Sequence, residues 1–195
     1  TAVIEMATAS GLVLAGGAEE NDAIEATTRG VGELLLSAVE AGARRIVIGV
    51  GGSATTDGGL GALKAMHPTQ KFRGIDLSVA CDVRTTFVDA AEVFAPQKGA
   101  SPSQVALLRR RLERLAQVFK MESGVDVTEV EGAGAAGGLA GGLLTIGAKL
   151  VSGFEVVADE VGLDELIEGA DLVITGEGFL DDESFDGKVV GGVAA

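Results

Sequence analysis

The 195-residue chain predicts an α/β fold with a largely parallel sheet. Three observations carry that prediction. Short apolar runs such as Arg45–Val50 (RIVIGV) and residues 171–174 (DLVI) are too short for helices and read as buried strands. A glycine-rich loop follows each of them. Strand, glycine loop and helical periodicity then recur along the chain, the order that interleaves parallel strands with helices.

The elements follow in order. Residues 2–5 (AVIE) and 11–15 (GLVLA) are short apolar runs joined by MATAS, and the acidic stretch 16–29 reads as a loop. From Thr28, TRGVGELLLSAVEAG places Val31, Leu34, Leu35 and Ala38 at helical spacing, with Thr28 and Gly42 suited to cap the two ends. RIVIGV is the next strand, and VGGSATTDGG is its loop. A helix around 58–66 ends at His67-Pro68, and residues 76–81 (DLSVAC) form a strand. Ser101-Pro102 opens a helix over about 102–121, with Val105, Leu108, Leu112, Leu115 and Val118 apolar. Its other face carries Arg109, Arg110, Arg111, Arg114 and Lys120, read as a solvated basic face on an acidic protein. Residues 132–149 (GAGAAGGLAGGLLTIGAK) read as a tightly packed helix approached by other backbone. DLVI is the last strand, followed by TGEGFLDDESFDGK.

Composition narrows the function. The chain is 47% hydrophobic and 23% charged, as in globular proteins. Its 30 glycines are about twice the usual share of roughly 7% and cluster in loops. A net charge of −14 argues against nucleic acid and against an anionic membrane surface, but allows a phosphorylated small ligand. The single cysteine, Cys81, excludes an internal disulfide and a zinc–cysteine cluster, and fits a cytoplasmic setting. It sits in an apolar run with no histidine nearby and reads as a small core residue. No transmembrane span or signal peptide is seen.

Ligands of open α/β sheets bind outside the carboxyl ends of the strands, where the chemistry-bearing residues fall. In VGGSATTDGG, Gly51 and Gly52 let backbone N–H groups approach an anion. Ser53, Thr55 and Thr56 add donors, and Asp57 suits either a helix N-cap or a base and metal-linked acid. The pattern is neither GxxxxGK[ST] nor GxGxxG. Asp82 ends the next strand, in ACDV, and Lys98, in FAPQKGA, can meet a phosphate as a point charge. TGEGFLDDESFDGK combines Gly176 and Gly178 with Glu177, Asp181, Asp182 and Glu183, acids suited to Mg²⁺ or to proton abstraction; Lys188 suits an anion. His67, before a proline at a helix end, reads as structural. A phosphate cradle, cations and acids are the parts phosphoryl transfer needs.

These residues resemble a known family, the bacterial two-domain glycerate kinases. AVIEMATASGL, TTRGVGELLLSAVEAGARRIVIGVGGSATTDGG, ACDV, VFAPQKGAS, GAGAAGGLAGGL and ADLVITGEGFLDDESFDGK match its motifs in order over nearly the whole chain. The resemblance implies a Rossmann-like parallel domain with a second α/β domain inserted in it. Residues 1–165 would be mostly the inserted domain, and 166–195 the start of the return. It implies ATP-dependent, Mg²⁺-assisted phosphorylation of D-glycerate to 2- or 3-phosphoglycerate. Gly51, Gly52, Ser53, Thr55, Gly58, Gly176, Gly178 and Lys188 would then bind phosphate or substrate. Asp57 or Asp181 would orient or deprotonate the acceptor hydroxyl, Asp82 and Glu177 would hold the metal, and Lys98 would neutralise transferring charge. The chain departs from the family's usual residues at Thr56, Arg84–Phe87, Ala95 and Phe179-Leu180. Family members run to roughly twice this length, which makes the chain the inserted domain and one flank of a cleft. A kinase of a related hydroxy acid and a non-catalytic metabolite sensor are the alternative readings.

Overall fold

The computed structural model describes residues 1–176 and 189–194. The chain divides into two compact units, Thr1–Leu150 and Val151–Ala195.

In the first unit, β2 (Arg45–Gly49) lies between β1 (Ala2–Glu5) and β3 (Asp76–Ala80) and pairs with both in parallel. Ile48 stands beside Ile4 on one side and Val79 on the other, so the strands end together at Glu5, Gly49 and Ala80. A short β4 (Lys149–Val151) follows β3 in the sheet order. Ile46 and Ile48 are fully buried and Val47 nearly so, as a strand covered on both faces requires.

Helices supply the cover. α1 (Ala7–Ser10) turns the chain after β1, and α2 (Arg29–Glu40) and α3 (Leu60–Ala65) flank β2 in sequence. Val31 and Leu35 join Ile4, Ile46, Ile48, Val79 and Met66 in one buried cluster. A second cluster gathers Phe87, Leu108, Leu112 and Phe119, with α4 (Ala90–Phe94) against α5 (Pro102–Ser123). The Phe87 and Phe119 rings meet edge to face at 5.9 Å. α5 starts where Ser101-Pro102 predicts. Ser101 Oγ accepts from Gln104 N, and Gln104 Oε1 accepts from Ser101 N, a reciprocal capping box. Gly124 ends the helix in the left-handed conformation.

Two expectations are corrected. The expected helix over 132–149 is shorter: α6 spans Ala135–Leu144, and β4 begins at Lys149. Its opening residues, Ala136, Gly137 and Gly138, are left-handed, with φ of 53°, 65° and 90°. The cause is the close approach of other backbone that the small residues foretold: a Cβ on Gly137 would stand 2.0 Å from the Thr55 carbonyl oxygen. The second correction concerns DLVI at 171–174. Among the described residues it forms no strand, and Leu172 and Ile174 are 76% and 86% exposed. A β-type sequence becomes a strand only where a neighbour pairs with its backbone.

The second unit contains α7 (Gly153–Val161), α8 (Leu163–Glu168) and α9 (Val189–Ala194). Ser152 Oγ caps α7 by accepting from Glu155 N. Among the described residues, no helix is long and apolar enough to cross a membrane.

The left-handed trio predicts opposite outcomes at adjacent positions. Gly137→Ala should cost at least ~2 kcal/mol in urea unfolding, because both the φ and the Thr55 contact forbid a Cβ. Ala136→Gly should be neutral or stabilising by up to ~1 kcal/mol, since Ala136 already bears a left-handed φ. Equal midpoints for the two variants would overturn this account.

Candidate active site

The ends of β2 and β3 open on a cleft of about 480 Å³. Three parts of the sequence, far apart in the chain, form its wall. The loop after β2 contributes Gly51, Gly52 and Ser53; the end of β3 contributes Cys81 and Asp82; the 3₁₀ turn Pro96–Lys98 contributes Gln97 and Lys98. Leu12, Phe94, Ala80, Val83, Ala135 and the left-handed Ala136 also line it. Strand ends that terminate in register therefore gather the residues that the sequence had placed in separate loops.

The loop is pinned from several sides. Gly52 O accepts from Leu12 N, Ser53 pairs with Gly11, and Ala54 N donates to Ser10 O. Gly52 has φ +68°, which favours glycine. Among the described residues, and apart from its own chain neighbours, no atom lies within 4 Å of a Cβ position on Gly51. Its lack of a side chain is thus not demanded by packing, and it leaves space at the cleft wall.

Lys98 is buried, 3% exposed, rather than a surface lysine. Its Nζ donates to Thr55 O at 2.7 Å and sits 5.9 Å from the Phe94 ring centroid. Among the described residues no carboxylate forms an ion pair with it. Desolvation pushes its pKa down to about 8, against a smaller opposing pull from Asp57. A buried ammonium that spends one donor on a carbonyl retains donors and charge for an anion.

Asp57 takes the capping role. Its carboxylate accepts from Thr28 N at 2.9 Å, from the Thr27 and Thr28 hydroxyls, and from Gly59 N and Gly61 N. It does not line the cleft. Thr28 is corrected with it. Instead of capping its own helix, its hydroxyl donates to Asp57 and accepts from Ala62 N of α3.

Two expected phosphate ligands act through the backbone instead. Thr55 is buried, lies outside the cleft lining and offers its carbonyl to Lys98. Gly58 is buried away from the cleft, with its N–H on Gly137 O, and a Cβ there would run into Phe87, Leu112 and Leu115. Cys81 is half-buried; its thiol donates to Val83 O and Gly132 O, and burial pushes its pKa up, which suits packing rather than nucleophilic attack. Among the described residues, no group of three His, Cys, Asp or Glu side chains is placed to hold a metal. Asp82 is the expected metal ligand that the cleft presents. Gly176 is exposed and belongs to the second unit. Glu177, Gly178, Asp181 and Lys188 lie outside the described residues.

Sequence reasoning missed Asn21. Its Nδ2 donates to Ala54 O at 3.0 Å and Lys98 O at 2.7 Å, tying the β2 loop to the lysine turn. A lone amide in an acidic loop was the only signal.

Fold and site define a class: an α/β protein whose cleft, at the carboxyl ends of parallel strands, is walled by small residues and a buried lysine. The comparisons identify the group within that class. The sequence profile described as "Glycerate kinase family" matches residues 1–70 and 66–195, and the chain belongs to the glycerate kinase family. It is 43% identical to "Glycerate 2-kinase" of Escherichia coli K12, covering 100% of this chain and 59% of that protein. It is 39% identical to "Glycerate kinase" of Bacillus subtilis 168, again over 100% of this chain and 59% of the relative. A crystal structure from Salmonella typhimurium LT2, described as a "putative glycerate kinase 2", superposes with a TM-score of 0.85 at 37% identity, covering 98% of this chain and 60% of that one. The chain thus spans about three-fifths of the length of these relatives.

The lowered Lys98 pKa sets the sign of a pH effect. Below pH 8 the lysine is charged in both states, and the fold bears the full cost of burying it. Between about 8 and 10.5 the unfolded chain holds the proton that the folded one has lost, so this lysine's contribution to stability rises with pH. The gain is about 3 kcal/mol, and the chain has no tyrosine to titrate in the same window. Subtracting a Lys98→Met profile from that of the wild type should isolate the rise; parallel profiles would refute it.

Proposed function

We propose that the protein of which this chain forms part phosphorylates D-glycerate with ATP. The reading rests on one observation above the others. Lys98 is a buried ammonium on the wall of a small-residue cleft, with a carbonyl and no carboxylate as partner among the described residues. The names of the curated relatives, glycerate kinase and glycerate 2-kinase, supply the substrate, and the latter favours 2-phosphoglycerate as product.

In this proposal Gly51, Gly52 and Ser53 hold the anionic end of the substrate or its transferring phosphate, and Lys98 offsets the charge that develops there. Thr55, Gly58 and Asn21 position that lysine and loop. The oxygens of Asp57 are taken up by five donor groups, and the residue does not line the cleft. Proton removal from the acceptor hydroxyl therefore falls to Asp181. Mg²⁺, when bound with nucleotide, would neutralise and bridge phosphate oxygens. Asp82 on the cleft and Glu177 are the carboxylates assigned to hold it, which suits an ion that takes one or two carboxylates beside phosphate. A cytoplasmic location accords with this substrate.

The test is ADP release by the full-length protein with Mg·ATP and D-glycerate, with the product's phosphorylated position read by ³¹P NMR. Glycerate-dependent ADP is expected. Lys98→Met and Asp181→Asn should each lower kcat by at least ~10²-fold. Asp57→Asn should instead lower the unfolding midpoint, since it replaces an anion accepting hydrogen bonds from backbone N–H groups. No glycerate-dependent ADP from a folded full-length protein would overturn the proposal, and near-wild-type turnover in Asp181→Asn would remove its base.

A further inference from the structure

The basic face of α5 does not all face open solvent. Between α5, α3 and the β2 loop lies a second cavity of about 400 Å³, separate in its lining from the cleft. Its walls are largely apolar: Ile24, Leu60, Leu112, Leu115 and Val118. Two guanidiniums, Arg111 and Arg114, border it. Arg111 is held in place, its Nη1 donating to Ile24 O at 3.1 Å. Arg114 makes no hydrogen bond or ion pair among the described residues. The remaining wall is Thr56 and Asp57. The Asp57 carboxylate accepts from five donor groups of its own surroundings and forms no ion pair with either arginine among the described residues. The Thr56 hydroxyl is buried with no hydrogen-bond partner among the described residues, a shortfall that a ligand's polar group would relieve.

A concave, mostly apolar cavity of this volume with a few convergent polar groups has the make-up of a small-molecule site. The lining sets the ligand's chemistry. An apolar body would cover the leucines and Val118, and one anionic end would meet Arg111 and Arg114, of which Arg, as a planar fork, pairs well with a carboxylate. We propose that this groove is a binding site for a small amphipathic monoanion, an aliphatic or aryl-aliphatic carboxylate, distinct from the cleft. Thr56 and Asp57 belong to the loop that supplies Gly51, Gly52 and Ser53 to the cleft, so an occupant would bear on the loop of the first site. The inference does not rest on the kinase reading.

The test uses 4-phenylbutyrate as probe, with 4-phenylbutanol as its uncharged counterpart, in calorimetry and in methyl-resolved NMR of the whole chain. One saturable site for the acid is expected, with shifts concentrated on Leu60, Leu112, Leu115 and Val118. The alcohol should bind about 10-fold more weakly, as should the acid to Arg114→Gln, the loss of one charge-assisted hydrogen bond. Arg114 is exposed and unbonded, so the variant keeps its fold. No saturable binding at millimolar probe would overturn the proposal. So would equal affinity for acid and alcohol, no change in Arg114→Gln, or shifts centred on the cleft residues Ala80–Val83 and Ala135–Ala136.

Discussion

The carboxylate of Asp57 joins parts of the backbone that lie far apart in the sequence. It receives the N–H of Thr28 at the start of α2, and the N–H groups of Gly59 and Gly61 at the start of α3. Thr28, held by the same carboxylate, accepts from Ala62 N one residue further on. The exposed donors of one helix start are therefore satisfied by side chains from outside it, one of them 34 residues away. The loop between β2 and α3 has its far end fixed by this arrangement and its near end fixed by the bonds to Ser10, Gly11 and Leu12. What lies between is held at both ends, and Thr55 can present its carbonyl to a lysine from a distant turn.

Around that loop the polar contacts are few and each crosses a long stretch of sequence. Asn21 bridges Ala54 and Lys98; Lys98 reaches Thr55; Gly58 reaches Gly137. Small residues make this possible. Where Gly137 meets Thr55, and where Gly142 meets Gly58, backbone lies where a side chain would otherwise be. Glycine-rich sequence in this protein thus serves two ends: Gly51 leaves room at the cleft, while Gly58 and Gly137 allow segments to touch.

The parallel sheet was legible because RIVIGV and DLSVAC are runs whose length and branching suit buried strands. The long helix was legible because Ser101-Pro102 and Gly124 mark both its ends. Gly51, Gly52, Ser53, Asp82 and Lys98 were singled out because anion chemistry at strand ends calls for such residues, and the structure brings these five to one cleft. What failed to show in sequence was partnership. Thr28 sits where an N-cap belongs, yet its hydroxyl serves another helix. Thr55 and Gly58 carry the signature of phosphate ligands, yet they support Lys98 and α6. Asn21 had no pattern at all. DLVI has strand composition without a pairing neighbour in the described residues. In each case the deciding contact is non-local, and local propensity holds no information about it.

A lysine whose pKa is lowered to about 8 by desolvation is also a proton store. At mildly alkaline pH a fraction of Lys98 side chains is neutral. An anion arriving beside the nitrogen favours the charged form and raises the pKa again. Ligand entry and proton uptake then become one thermodynamic event, whose measured heat includes the ionisation of the buffer that gives up the proton. On the proposed function, the cleft would draw a proton in with its ligand, and the apparent affinity for an anion would weaken as the medium grows more basic.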